Sequence, residues 1–258
     1  MKSTRQPNAR SERGAVHRRV TARRPAARRR TAGSPYVICH MAPAVDGRIV
    51  TRDWPLVTGL TAEYEQTAAT LRGDAWIIGR VSMEPYAGKA TLPASRERLP
   101  RTDFVARADA PSYAIAVDPA GKLRWKSGSI DQDHMVTVLT ERVSDRYLSF
   151  LRARGVSYLF GGRGRVDVQA VLRKLRGHFG IRRLLLEGGG KINGSFLAAD
   201  AIDELSLLIA PVADGTLGTP TLFDAGPRGA TRRLELLSTE RRRGGFLWVR
   251  YRVRHGGK

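Results

Sequence analysis

The run Leu184-Leu185-Leu186-Glu187-Gly188-Gly189-Gly190-Lys191 constrains the fold most. Three consecutive leucines are short enough to be a buried strand. Three glycines follow without a break, and Lys191 to Ala199 has the composition of a short helix. A strand, a glycine turn and a helix start aim free backbone N–H groups at an anion. Glycine also removes Cβ and lets a ligand lie against the main chain. A plain strand-to-helix turn explains the same glycines equally well. The next strand is supplied by Ile202 to Pro211.

The rest of the chain repeats that alternation. Strands are expected at 36–41, 75–78, 112–117, 135–139, 156–160, 184–186 and 204–210, with a further short one at 123–125. Helices are expected from Thr61 through Leu71, from a Ser144 cap to Ala153 with Gly155 ending it, and from an Asp167 cap through Leu175. Residues 84–111 are rich in Pro, Arg and Ala, and are expected to form a surface connection. Leu234–Thr239 and Phe246–Val253 form a β-hairpin around Arg241 to Gly245. Alternating strands and helices imply an α/β fold with a mostly parallel central sheet and helices on both faces. The hairpin adds antiparallel strands at one edge. Ligands in such sheets bind at the carboxyl ends of strands. Gly79, Gly161 and Gly188 all fall at those ends, and Gly162 directly follows the second.

Charge has to be placed before it is interpreted. The formal net charge is +21, which taken alone suggests nucleic acid. Residues 1–33 hold eleven Lys and Arg against Glu12 alone, about half of the excess. That segment has too little apolar surface to offset its ordering entropy and is expected to be a disordered tail. A solvated tail is the plain reading; a transit-like leader or a nucleic-acid arm shares its composition. Residues 34–258 are then the folded domain. One cysteine, Cys39, allows no internal disulfide and fits a cytoplasmic protein. No apolar run reaches the length of a membrane span.

Several motifs stand in a recognisable order. They are Asp46-Gly47-Arg48-Ile49, Asp74-Ala75-Trp76-Ile77-Ile78-Gly79-Arg80, Leu185-Leu186-Glu187-Gly188-Gly189-Gly190, Phe196-Leu197, Asp203-Glu204-Leu205 and Ala210-Pro211. Together they resemble the reductase domain of the bacterial riboflavin-biosynthesis deaminase-reductase, within the dihydrofolate reductase-like superfamily. The resemblance spans roughly residues 35–254. It implies a dihydrofolate reductase-like fold, NADPH as cofactor, a small pyrimidine-, pterin- or flavin-related substrate and, commonly, a homodimer. The chain departs from the family at Ala44, where Ser is usual, and at Met83 to Gly88, where an Asp-Pro-x-Leu-Thr type segment is usual. No deaminase domain with zinc-ligand cysteines is present.

Candidate site residues follow. Gly188, Gly189 and Gly190 can offer N–H donors to a dinucleotide phosphate; Gly79, Arg80 and Ser82 form a strand end with a guanidinium and a hydroxyl. Hydride transfer needs orientation and a proton source. Asp46 lies in a loop expected over the nicotinamide, although Asp-Gly is also an ordinary turn. Glu63 is near the place of the substrate-binding acid in dihydrofolate reductases, or is a first-turn Glu favoured by the helix dipole. Glu187 either faces the pocket or braces the glycine turn. By resemblance, Thr140 and Arg142 hold the adenosine 2′-phosphate; in an extended segment they point the same way and Glu141 opposite. The competing class is a nucleic-acid-binding protein that uses the basic tail on the same fold.

Overall fold

The computed structural model describes residues 33–55, 57–94, 97–226 and 229–256. The expected tail, residues 1–33, lies outside the described residues except for Gly33. The strands are β1 (Tyr36–Met41), β2 (Ala75–Gly79), β3 (Tyr113–Val117), β4 (Ser129–Ile130), β5 (Asp133–Leu139), β6 (Ser157–Phe160), β7 (Arg183–Leu186), β8 (Glu204–Ile209), β9 (Arg233–Arg241) and β10 (Leu247–Arg254). The helices are α1 (Leu60–Leu71), α2 (Arg80–Met83), α3 (Asp145–Ala153), α4 (Val168–Phe179) and α5 (Gly190–Ala198).

All ten strands join one sheet in the order β4-β5-β3-β2-β7-β1-β8-β10-β9, with β6 also paired to β5. Pairings from β6 through β5, β3, β2, β7 and β1 to β8 are parallel; β10 runs antiparallel to β8 and β9. The central strands are apolar on both sides because both faces are covered. Val37, Cys39, Ile77, Leu184 and Leu186 pack under α4 and α5. The opposite face divides into two clusters. Ile78, Ala116, Met135 and Leu139 pack under α3, while Ile38, Leu185 and Leu208 pack with Leu71 of α1. Trp76 borders both, so the seam between them runs over β2 and β7.

Caps explain most of the boundaries. Ser144 Oγ accepts from Tyr147 N at 3.3 Å, and Asp167 Oδ1 accepts from Ala170 N at 3.1 Å. Gly180, at φ 67°, ends α4. Thr61, expected as a cap, lies inside α1, whose N-cap is Gly59 at φ 86°. The short strand expected at 123–125 is absent. Trp125 is instead a buried anchor, its indole N–H donating to Thr137 Oγ1 at 3.0 Å. The connection 84–111 is more than surface. Phe104 and Tyr158 exchange backbone hydrogen bonds of 2.9 Å, which closes the free edge of β6.

Two family-like motifs serve the scaffold. Asp74 Oδ2 accepts from Arg182 N and Arg183 N at 2.7 and 2.8 Å, fixing the entry to β7. Asp203 Oδ2 accepts from Val37 N at 2.7 Å, and Glu204 binds Arg250 Nε at 2.7 Å. These contacts lock β1, β8 and β10 in register.

Candidate active site

The glycine turn sits at the carboxyl ends of neighbouring strands. Gly79 N, closing β2, donates to Gly188 O, just past β7, at 2.9 Å. The Gly188–Gly189 peptide is cis. Each glycine has its own reason. Gly188 has φ 95°, where L side chains are strained, and a Cβ there would strike Met41. A Cβ on Gly190 would overlap the Asp224 carboxylate and Thr221 O. Gly189 is different. Its φ is −71°, and the nearest atoms to an added Cβ are Ser82 Oγ at 3.7 Å and Ile49 Cδ1 at 3.9 Å. A methyl group on Gly189 would fit in ordinary contact, at the start of a nine-residue helix whose N-cap has no side-chain bond.

Glu187 precedes this turn and faces a cavity of about 440 Å³. Leu185 and Glu187 of β7, Ala75 and Trp76 of β2, and Glu65, Ala68, Ala69 and Arg72 of α1 line it, as do Ser112, Asp131 and Asp133. The short side chains of Ala68 and Ala69 leave part of this space unfilled. Trp76 and Tyr86 stand 6.0 Å apart, and the Trp76 indole N–H donates to Asp133 Oδ2 at 2.6 Å. The Glu187 carboxyl is pushed up to about 8, chiefly by burial and then by the Glu65 carboxylate, and Asp133 adds to the rise. Glu187 is therefore mostly protonated at neutral pH. Tyr64 is itself held by stacking on His40 at 4.4 Å and by donating to His40 O at 3.1 Å.

The structure separates the other expected acids from this point. Asp46 does not line the cavity. Its Oδ2 accepts from Gly215 N at 2.9 Å and pairs with Arg48 at 2.9 Å, latching the 42–50 loop to the 212–222 segment. These hydrogen bonds, Gly215 N first, hold its carboxyl below the usual range, so Asp46 is an anion and a poor proton source. Glu63 is buried and pairs with Arg242 Nε at 2.8 Å, tying α1 to the turn between β9 and β10. Its position in the first turn of α1 matches the helix-dipole reading.

The expected cofactor residues also divide. Ser82 borders Gly189. Arg80 is paired with Glu84 one helical turn on. Gly161 and Gly162 close β6, where a Cβ on Gly162 would meet Arg165 O at 2.6 Å. They lie four strand spacings from β7, roughly 19 Å. Thr140 is buried and its hydroxyl donates to Pro119 O at 2.7 Å, so its proton is committed. Residues 140–143 form a turn, Val143 N bonding Thr140 O at 3.3 Å, not an extended segment. The guanidinium of Arg142 lies against Gly164. With Arg163 and Arg165 it makes an exposed basic rim with no acidic partner among the described residues.

Sequence reasoning did not single out Tyr64, Glu65, Trp76 or Tyr86 as site residues. The available signal was Glu65, Ala68, Ala69 and Arg72 at helical spacing, a polar and small-residue face on a helix that should be packed.

Comparison with known proteins agrees with this architecture. A 2,5-diamino-6-ribosylamino-4(3H)-pyrimidinone 5′-phosphate reductase of Archaeoglobus fulgidus is 35% identical over 200 residues, 74% of this chain and 86% of that protein. The reductase of the same name from Methanothermobacter thermautotrophicus is 36% identical over 94 residues, covering 36% of this chain and only 43% of that protein. Among solved structures, a pyrimidine reductase-like protein from Corynebacterium diphtheriae has a TM-score of 0.63 at 16% identity, over 85% of this chain and 92% of that one. Acinetobacter baumannii RibD has a TM-score of 0.62 at 19% identity, over 86% of this chain and 58% of that one. These structural likenesses show the fold, which is dihydrofolate reductase-like. The model of the RibD C-terminal domain matches residues 35–247, a span that includes the glycine turn, the cavity and both sheet edges, and the chain belongs to that family.

Proposed function

We propose that the protein is an NADPH-dependent reductase that delivers hydride to a small nitrogen heterocycle or its ribosylamino substituent, in a riboflavin-type reduction. The observation that carries this reading is Glu187, an acid kept protonated at the carboxyl end of β7, directly before the glycine turn. Reduction of a C=N bond needs one hydride at carbon and one proton at nitrogen. A ribosylamino group reaches that C=N form when its sugar ring opens. The cofactor, when bound, supplies the hydride. Glu187 supplies the proton, Tyr64 orients its carboxyl, and Trp76 and Tyr86 flank a planar ring. The cofactor's phosphates fit the free side of Gly189, with Ser82 as a hydroxyl donor and the α5 N-terminus as the dipole. Ligand at ~100 times its dissociation constant stabilises a fold by about 2.7 kcal/mol. A clear upward thermal shift with NADPH, and consumption of the reduced nicotinamide with a ribosylamino-pyrimidine, is expected. No shift and no calorimetric heat would remove the base of this reading.

Arg142 with its neighbours Arg163 and Arg165 is the candidate for the 2′-phosphate. A charge-assisted hydrogen bond contributes roughly 1.5–3 kcal/mol, and NADH offers only a hydroxyl there. Arg142→Ala is expected to weaken NADPH by about one to two powers of ten and to leave NADH unchanged. Equal loss for both cofactors would take Arg142 out of the site.

A homodimer belongs to the same reading. β9 is an edge strand of nine residues that exposes Leu234, Leu236 and Leu237. Long exposed apolar edges are normally covered. Sedimentation at micromolar concentration is expected to give twice the chain mass of 28.4 kDa; a monomer would refute the dimer.

A further inference from the structure

We propose that Asn193 is a positioning residue for the cofactor: it ties a strap, residues 220–225, to the start of α5, and through that strap it fixes Ile49 beside the glycine turn. This rests on reading the turn as the NADPH site. The strap lies directly on the start of α5. A Cβ on Gly190 would overlap Asp224 and Thr221 O, and a Cβ on Gly194 would stand 2.5–2.7 Å from the backbone of Asp224 and Ala225. Residues at this spacing share one helix face, so the strap's backbone can sit against α5 where side chains are missing. Asn193 stands beside that groove, and its Nδ2 donates to Leu222 O at 3.0 Å. Asp224 N donates to Gly190 O at 2.9 Å.

The strap also carries the 46–50 loop. Leu222 N donates to Gly47 O at 2.9 Å, Ile49 N donates to Pro220 O at 3.3 Å, and Arg48 and Thr221 form an antiparallel bridge. Asp46 and Arg48 extend this contact to Gly215 N and Thr216 O. The Ile49 side chain thereby comes to 3.9 Å from where a Cβ on Gly189 would stand. The contacts run from α5 through the strap to the loop, and back to the turn. Asn193 bears a second mark. It is fully buried, and its Oδ1 has no hydrogen-bond partner among the described residues. The opposite amide orientation would set two oxygens 3.0 Å apart, so the donor must face Leu222 O. A buried acceptor without a donor is destabilising, which offsets the gain from the Nδ2 bond. The amide therefore adds little net stability, and what it supplies is a fixed place for Leu222 and the strap.

The test compares the full chain with Asn193→Leu and Asn193→Asp, reading NADPH binding by calorimetry and folding by thermal melts. Asn193→Leu exchanges one unpaired buried oxygen, Oδ1, for another, Leu222 O, so its Tm is expected to stay within about 3 °C of wild type. Its NADPH dissociation constant is expected to rise at least about fivefold, because a loosened strap has to be ordered on binding. Asn193→Asp keeps the shape. Its neutral carboxyl donates to Leu222 O as the amide does, while the ionised form turns an oxygen on that carbonyl. Burial and the Asp224 carboxylate on the strap favour the neutral form. Relative to wild type at the same pH, its affinity is expected to be near normal at about pH 5 and at least about fivefold weaker at about pH 9. Wild-type affinity in Asn193→Leu would overturn the inference and leave the reductase reading standing. So would an Asn193→Asp affinity that follows wild type at both pH values. Should Asn193→Leu not fold, the two pH values of Asn193→Asp decide alone. A wild-type chain that binds no NADPH would take down both readings together.

Discussion

Glu187→Gln lowers kcat/KM by about 10²–10⁴-fold, the usual contribution of a positioned general acid, while NADPH affinity stays near the wild-type value. The substitution keeps shape and hydrogen bonding but removes the transferable proton. With Glu187 as the proposed donor, the acid form is the working form, so kcat/KM is expected to fall as pH rises through about 8. A profile that stays flat well above that pH would exclude Glu187 as the donor. The same group gives a stability signature independent of substrate. Its carboxyl has an ordinary value of 4.5 and is raised to about 8 in the fold. Between those values the native state binds more protons than the unfolded chain, so stability falls as pH rises. The steepest slope is about 1.4 kcal/mol per pH unit. Below the lower value the group adds no pH dependence, and above the upper value the loss is complete. Glu187→Gln removes this slope, and denaturation midpoints measured from acid to alkaline pH would detect it. An unchanged slope in the variant would assign the pH dependence to other groups.

How much of this was legible in the sequence depends on where the information is local. Nine of the ten strands and four of the five helices were readable because their signals are short-range: apolar runs, and Ser144 and Asp167 at helix starts; the two-residue β4 and the four-residue α2 are too short to carry a pattern. The Leu184 strand and its glycine turn were readable for the same reason. Glu187 was ambiguous, because whether it faces a pocket depends on how far α1 stands off the sheet. The residues that leave that space open, Ala68 and Ala69, are far away in sequence. Asp46 and Glu63 were read by motif position. Their partners, Gly215 N and Arg242, are more than 160 residues distant, and nothing local announces such pairs. Thr140 failed on a backbone detail. Alternation holds in a strand, but β5 ends at Leu139 and the chain turns at once. Trp125 looked like a strand residue because large aromatics favour strands, and it proved instead to be a core anchor.

The three glycines respond differently to the same substitution, and this separates scaffold from site. Gly190→Ala places a methyl group on the Asp224 carboxylate and the Thr221 carbonyl. Neither neighbour yields freely. Asp224 Oδ1 is held by Thr221 Oγ1 at 2.8 Å, and Asp224 N donates to Gly190 O at 2.9 Å. Overpacking of this kind costs roughly 1–3 kcal/mol, and a domain of this size loses about 2–4 °C of Tm for each kcal/mol. Gly190→Ala therefore melts several degrees lower. Gly189→Ala meets no atom closer than 3.7 Å and keeps an allowed φ of −71°. Its Tm is expected to stay within about 1 °C of wild type. The methyl group instead sits in ordinary contact with Ser82 and Ile49, on the side of the turn where the cofactor's phosphates are proposed to lie. NADPH affinity should fall about tenfold or more, a loss of about 1.4 kcal/mol. Thermal melts with and without NADPH on both variants decide the matter. A Gly189→Ala protein that folds normally and binds NADPH as tightly as wild type would mean that the turn closes the sheet and touches no cofactor.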